Sequence, residues 1–461
     1  MIRNEYLKHC VAVAIVALAL VWSAGCGETP TENAELREYM DCAVETWHFN
    51  GNVLVASGDS ILLREAYGMA DFEHNRPLTP DSKFLIGSAT KTMTAIAVMQ
   101  LIDDGKLNLD DKLLRYLPDY RSEVGEAVTV HHLLSHQSGI PDLIRHAGFR
   151  ERVTGEISVD ELTGFIEPQA LEFEPGERYT YSSSNYVLLG KIIEVVTGGT
   201  WEEYIRTNVT EPAGMLNTGV FVDYGSRDDF TIGYSMSPAP RHDTVKAPVI
   251  HPSCGYAAGA LASTVDDLHS LHRALYTESL LPSASIELML TPQTLFYGYG
   301  WLVDDPGDHR LAAHGGGAPG FASMFQRWVD DSVCVVVLSN NALIPVHTIA
   351  QGLAAIALGE EYDLPVTKTP IGVGLEQLRQ YVGTYNLDSA DNRQIELQGE
   401  QLVARRMNGM PMRIHPEAAD RFYFAHDHMS TLEFLRDEDG QVYAHVFRQA
   451  FARDTAWLAD R

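Results

Sequence analysis

The chain is poor in three things, and each shortage narrows what it can do. Basic residues are few: 34 lysines and arginines stand against 62 aspartates and glutamates in 461 residues, a net charge of −28. Such a surface repels phosphates, which argues against nucleic acid as a partner. Cysteines are few, five in all, and Cys42, Cys254 and Cys334 lie far apart with no C-x-x-C spacing. That pattern is neither a disulfide framework nor a zinc site, although a single bridge among these three stays open. Long apolar runs are missing too. The run from Val11 to Trp22 is about 12 residues, short of the roughly 20 needed to cross a bilayer.

That short run has another use. Arg3 and Lys8 precede it, and "SAGC" ends it at Cys26, the layout of an export signal. The end is similar to a bacterial lipoprotein signal, which implies a lipidated Cys26 after cleavage. Residues 1–26 are therefore expected to be a signal peptide and 27–35 a polar tether. The protein is expected to be exported, periplasmic or membrane-anchored, and to touch a membrane only through that lipid.

The rest is ordinary globular composition, 45% hydrophobic and 21% charged, long enough for two domains. "NVLVA" (52–56) and "SILLREAYG" (60–68) read as a strand hairpin. Residues 106–290 read as mostly helix and loop. "WLVDD", "LAAHGG", "FASMFQRWV" and "SVCVVVLSN" read as strands again, and 344–359 as a closing helix. The expected fold is α+β: one antiparallel sheet built from both ends of 36–359, flanked by helices, with a helical region inserted. Residues 360–374 carry two prolines and no periodicity, so they read as a linker. From 375 to 461, short strands at regular spacing read as a small all-β barrel domain.

The stretch "FLIGSATKTMTAIAVMQLI" (84–102) places Ser88 and Lys91 one helical turn apart at the start of an apolar helix. A serine hydroxyl is a weak nucleophile until a base takes its proton. Lysine becomes that base only when burial or a neighbouring cation lowers its pKa. Alone, the pair also fits a capping serine and a lysine reaching for solvent. Partners elsewhere weigh against that. "YTYSSSNYVLLG" holds Tyr181 just before a helix, where its hydroxyl can shuttle protons. "LAAHGGGAPGFASMF" places His314, Gly315, Gly316 and Gly317 at a strand end, where a substrate backbone can approach closely.

Ser-x-x-Lys, Tyr-Ser-x and His-x-Gly, in that order, resemble the penicillin-recognising serine hydrolases. The resemblance is to the branch with class C β-lactamases, D-Ala-D-Ala carboxypeptidases, D-aminopeptidases and esterases. "VTVHHLLSHQSGIPDL" (128–143), "GALASTVDDLHSL" (259–271) and "YGYGW" (297–301) agree with it. The resemblance implies Ser88 as acylated nucleophile, Lys91 as its activator and Tyr181 as general acid and base. It implies an oxyanion hole from the backbone N–H groups of Ser88 and Gly317. Ser183, His314, Gly315 and Gly316 would bind substrate, with His314 titrating between about pH 5 and 8 where many relatives carry lysine. Which of Lys91 and Tyr181 takes the first proton stays open. The β region beginning "LEQLRQYVGTYNL" resembles an appended lipocalin-like domain.

Ser183 departs from the usual third-position asparagine, and Asn185 is not automatically its replacement. The expected substrates are therefore small esters or D-amino-acid peptides and amides, with β-lactamase or carboxypeptidase activity as the alternative. A non-catalytic binding or sensor lipoprotein is the reading from another class. No cofactor is expected. His132 and His136 have helical metal-pair spacing, but Leu133 stands where a metalloprotease carries glutamate, so no metal is expected either. "KTP" (368–370) lies in the linker, and its proline stands where the related Lys-Thr-Gly motif needs glycine.

Overall fold

The computed structural model of the protein describes residues 32–458, apart from 237–243, 295, 307, 387–391, 407–410, 426 and 450–451. The expected signal segment and Cys26 lie outside the described residues. Part of the expected tether is helical instead: α1 spans Glu32–Trp47. Leu36, Tyr39, Met40 and Ala43 recur there at helical spacing and are all buried, so the segment gains a packed face that its polar composition concealed.

Strands β1 (Gly51–Ser57) and β2 (Ser60–Tyr67) form the expected hairpin. The later strands are β3 (Leu302–Asp304), β4 (Leu311–Ala318), β5 (Phe321–Trp328) and β6 (Val333–Ser339). The sheet runs β2-β1-β6-β5-β4-β3, antiparallel throughout, so Gly51 pairs with Ser339 and the two ends of the domain share one sheet. The helices that matter for the site are α2 (Thr90–Asp103), α3 (Ser183–Thr197), α4 (Val265–Ala274) and α5 (Val346–Leu358).

Alternation along the strands divides the core in two. Val53, Val55, Val335 and Val337 face α1 and α5, whereas Leu54, Ala56, Val336 and Leu338 face the inserted helical region. Both faces are covered, which is why β6 reads as an unbroken apolar run rather than an alternating one. Helix α2 lies deep in the second core and is buried on nearly every side. Its polar side chains are therefore paired: Thr92 donates to Ala89 O at 2.9 Å and Thr94 to Ala257 O at 2.8 Å.

The C-terminal domain is a closed eight-stranded antiparallel barrel. Its strands are β7 (Gly383–Asn386), β8 (Asn392–Gln398), β9 (Gln401–Arg406), β10 (Met412–Ala418), β11 (Arg421–Phe424), β12 (Asp427–Arg436), β13 (Val442–Gln449) and β14 (Ala452–Leu458). Two of these, β10 and β14, are not evident in the sequence. Pro416 interrupts β10, where the pairing slips by a residue, and proline argues against a strand unless it sits at such an irregularity. Residues 360–374 have no helix or strand. Lys368 of "KTP" pairs with Glu417 at 2.7 Å and its carbonyl accepts from the Tyr423 hydroxyl, so it belongs to the barrel wall. The buried Asp427 accepts a hydrogen bond from Thr348 of α5 at 2.7 Å, which ties the barrel to the hydrolase-like domain.

Candidate active site

Ser88 sits in a tight 3-10 turn, Gly87–Ala89, that runs straight into α2. Gly87 has φ +50°, and a Cβ there would lie 2.6 Å from Gly317 O and 2.8 Å from Gly317 N. Only glycine lets the turn and the end of β4 touch. A Cβ on Gly316 would strike Ile86 O at 1.8 Å, and Ser323 donates to that same carbonyl at 2.8 Å. The backbone of Gly317 is thereby held beside Ser88, where two N–H groups can face one oxyanion.

Lys91 is fully buried, and its Nζ lies 3.0 Å from Ser88 Oγ and 2.7 Å from Ala258 O. No carboxylate pairs with it among the described residues. Burial therefore pushes its pKa down to about 7, with the more distant Asp142 pulling the other way. A neutral amine there donates to Ala258 O and keeps a lone pair for the Ser88 proton. Lys91 Nζ also lies 5.1 Å from the centre of the Tyr181 ring and 5.7 Å from that of Tyr186.

Tyr181 is half-buried just before α3, and its phenol lies near Ser88. Burial raises its pKa, outweighing the opposite pull of the nearby Ser88 hydroxyl, so it is a neutral hydroxyl across the physiological range. Behind it lies His136, ring centres 4.4 Å apart. His136 has φ +58°, rare for a residue with a Cβ. Its Nδ1 accepts from Ser182 N at 3.2 Å and meets the Asn185 amide at 3.1 Å. Metal-pair spacing had drawn attention to His132 and His136; their actual places are different. His132 Nδ1 accepts from Thr129 N in a helix cap, and no cluster of three metal-ligating side chains occurs among the described residues. Asn185 is buried and donates inward, so it does not substitute for Ser183 at the substrate.

Ser183 does reach the substrate side, lining a cavity of about 580 Å³ together with Ser88, Gly316 and Gly317. Its backbone N–H donates to Asp142 at 3.2 Å. His314 does not line this cavity. It is buried, 3.2 Å from the Tyr297 hydroxyl, with Nδ1 donating to Gly315 O. Burial and the nearby Lys91 hold its pKa at about 3, below the pH 5 to 8 range in which titration is expected of an open histidine. Gly315 is also off the cavity wall; a Cβ there would meet Met324 at 3.1 Å. His136, Asp142 and Tyr297 are the neighbours that motif reading missed. They act by packing and backbone capping, which leave no spacing in the sequence.

Comparison with known proteins agrees with this geometry. A family profile described as Beta-lactamase matches residues 36–357. The chain belongs to the β-lactamase family. Members of this family of serine hydrolases include penicillin-binding proteins similar to this chain. Penicillin-binding protein 4* of Bacillus subtilis (strain 168) is 29% identical over 405 residues, covering 82% of this chain and 88% of that protein. The octameric penicillin-binding protein homologue from Pyrococcus abyssi superimposes with a TM-score of 0.65 at 26% identity, covering 92% of this chain and 98% of that one. The D-amino acid amidase from Ochrobactrum anthropi SV3, complexed with D-phenylalanine, gives a TM-score of 0.58 at 25% identity, covering 67% and 92%.

Proposed function

We propose that this β-lactamase-family chain hydrolyses small esters or D-amino-acid amides and peptides through an acyl-enzyme. The observation that carries the proposal is the 3.0 Å approach to Ser88 Oγ of a buried Lys91 amine that has no carboxylate partner among the described residues. With a pKa of about 7, that amine is substantially neutral at physiological pH, whereas the Tyr181 phenol is held protonated. Lys91 is therefore the proposed first base.

In the first step Ser88 Oγ attacks the substrate carbonyl while its proton passes to Lys91 Nζ. The carbonyl oxygen becomes an oxyanion facing the N–H groups of Ser88 and Gly317. The proton then moves by way of the Tyr181 hydroxyl to the leaving oxygen or nitrogen, and the carbonyl–leaving-group bond breaks. Water attacks the acyl-enzyme in the second step, giving its proton to Tyr181 and Lys91 in turn, and Ser88 is released with its proton restored. The D-amino acid amidase and penicillin-binding relatives support the amide and peptide arm. Ser183, with one hydroxyl in place of an amide, supports placing β-lactam turnover lower. The N-terminal segment supports an exported protein, anchored through Cys26.

A panel of short-chain esters, D-alanyl and D-phenylalanyl amides and a chromogenic β-lactam tests the proposal, run on wild type and Ser88→Ala. Turnover of an ester or D-amide that vanishes in Ser88→Ala is expected. No Ser88-dependent turnover of any member would overturn it.

A further inference from the structure

The cavity beside Ser88 is largely apolar, walled by Leu143, Phe149, Val153, Val187, Ile250 and Phe321 among others. One ionisable side chain that carries charge at neutral pH is found on its wall, Arg150, at the end of a short helical turn, Ala147–Arg150. The nearest arginines in the chain are neutralised, Arg145 by Glu172 at 3.3 Å and Arg152 by Glu161 at 3.2 Å, and the adjacent Glu151 is exposed and makes no ion pair among the described residues. Arg150 is exposed and has no ion pair or side-chain hydrogen bond among the described residues. In a chain with 62 acidic residues and 34 basic ones, an unneutralised guanidinium on an apolar cavity wall is a specific feature. The polar groups on the wall or behind it do not offer a cation. Ser183 is a hydroxyl, His314 is buried and neutral, and Lys91 is committed to Ser88 and Ala258. Cys254 on the wall is a thiol kept protonated by burial, donating to Val153 O at 3.3 Å.

We propose that this cavity selects amphiphilic carboxylates: substrates with an apolar body lying against Leu143, Phe149 and Val187 and a carboxylate that pairs with Arg150. The inference rests on the hydrolase reading for what happens to such a ligand, but not for its binding. A cavity of about 580 Å³ suits a small organic molecule rather than a polymer segment. Arginine's planar fork matches a carboxylate in two parallel hydrogen bonds. Because the guanidinium is exposed, the preference is screened by salt. Asp142, at the site, accepts at Oδ1 from the N–H groups of Ile144 and Ser183, each at 3.2 Å.

Titration calorimetry on Ser88→Ala, which needs no turnover, tests this with 4-phenylbutyrate and its neutral counterpart 4-phenylbutan-1-ol. The carboxylate should bind about tenfold more tightly than the alcohol at low salt, as a charge-assisted pair at a partly open site allows. In the Ser88→Ala background, Arg150→Gln should bring the two ligands level while the alcohol's affinity holds, which shows the cavity intact. Arg150→Lys should retain part of the preference. Equal affinities with Arg150 present, or a preference that survives Arg150→Gln, would overturn the proposal. Carboxylate selection without Ser88-dependent hydrolysis by wild type would instead sink the hydrolase reading and leave this one standing.

Discussion

Replacing Lys91 by methionine should make the protein more stable and nearly inactive, and the pH at which stability is measured should decide how much. The unfolded lysine titrates near 10.5 and the folded one at about 7. Folding at pH 7 therefore carries a penalty of about 4 kcal/mol for this side chain, at about 1.4 kcal/mol per unit. Between 7 and 10.5 the unfolded chain binds the proton and the folded one does not, so the penalty shrinks as pH rises, to about 2 kcal/mol at pH 9. Methionine removes the penalty but leaves Ala258 O, which Lys91 Nζ meets at 2.7 Å, without its donor, a loss of about 1–3 kcal/mol. The groups facing Lys91 are unchanged: Asp142, Tyr181, Tyr186, His136 and His314. Lys91→Met should thus be about 1–3 kcal/mol more stable than wild type at pH 7 and about equal to it at pH 9. Urea unfolding followed by tryptophan fluorescence reads this, because Trp201, Trp301 and Trp328 are buried in the hydrolase domain. Hydrolysis in the same variant should fall about 10²- to 10⁴-fold, the usual contribution of a general base. A variant less stable than wild type at both pH values, with no movement of the difference, would refute the burial argument.

Three further outcomes follow from the same geometry. Gly87→Ala should lower kcat/KM about 10²- to 10³-fold, because its Cβ would push Gly317 N out of place; near-normal hydrolysis would deny the oxyanion-hole assignment. Tyr181→Phe should slow both steps, and intact-mass spectrometry should then detect an acyl adduct on Ser88 if release is slowed the more; normal steady-state rates would remove Tyr181 from the proton path. His314 should remain neutral in nitrogen-15 spectra from pH 8 down to about 4, since its folded pKa is about 3 against 6.5 unfolded. Its contribution to stability is accordingly present above about pH 6.5 and lost as pH falls toward 3. An imidazolium signal at pH 6 would contradict its burial beside Lys91.

Ser88, Lys91 and Tyr181 stand out in the sequence because each is a chemically distinctive residue at an ordered place along the chain, and the fold brings the three side chains together. The sheet was legible because β1, β2, β5 and β6 carry strong strand patterns between clear turns. What stayed hidden depends on contacts that spacing does not encode. His136 stands out in the sequence only by its spacing from His132, whereas its left-handed backbone places its ring 4.4 Å from that of Tyr181. His314 looked like a titrating substrate ligand, yet β4 buries it against Tyr297. The helical start at Glu32 was masked by acidic residues on its outer face. Strand β10 was masked by Pro416, which the barrel accommodates with a slip in register. Arg150 gave no signal at all, since its importance lies in the missing partner and not in its neighbours in sequence.

The central claim is that Ser88 is nucleophilic because a buried lysine of lowered pKa stands 3.0 Å from it. Its most direct measurement is the rate of labelling by an alkyl fluorophosphonate as a function of pH, with the modified peptide identified by mass spectrometry. The account predicts a single adduct on Ser88, formed at a rate that rises through about pH 7 and is lost in Lys91→Met. An adduct elsewhere, or a Ser88 rate unaffected by pH and by Lys91→Met, would contradict it.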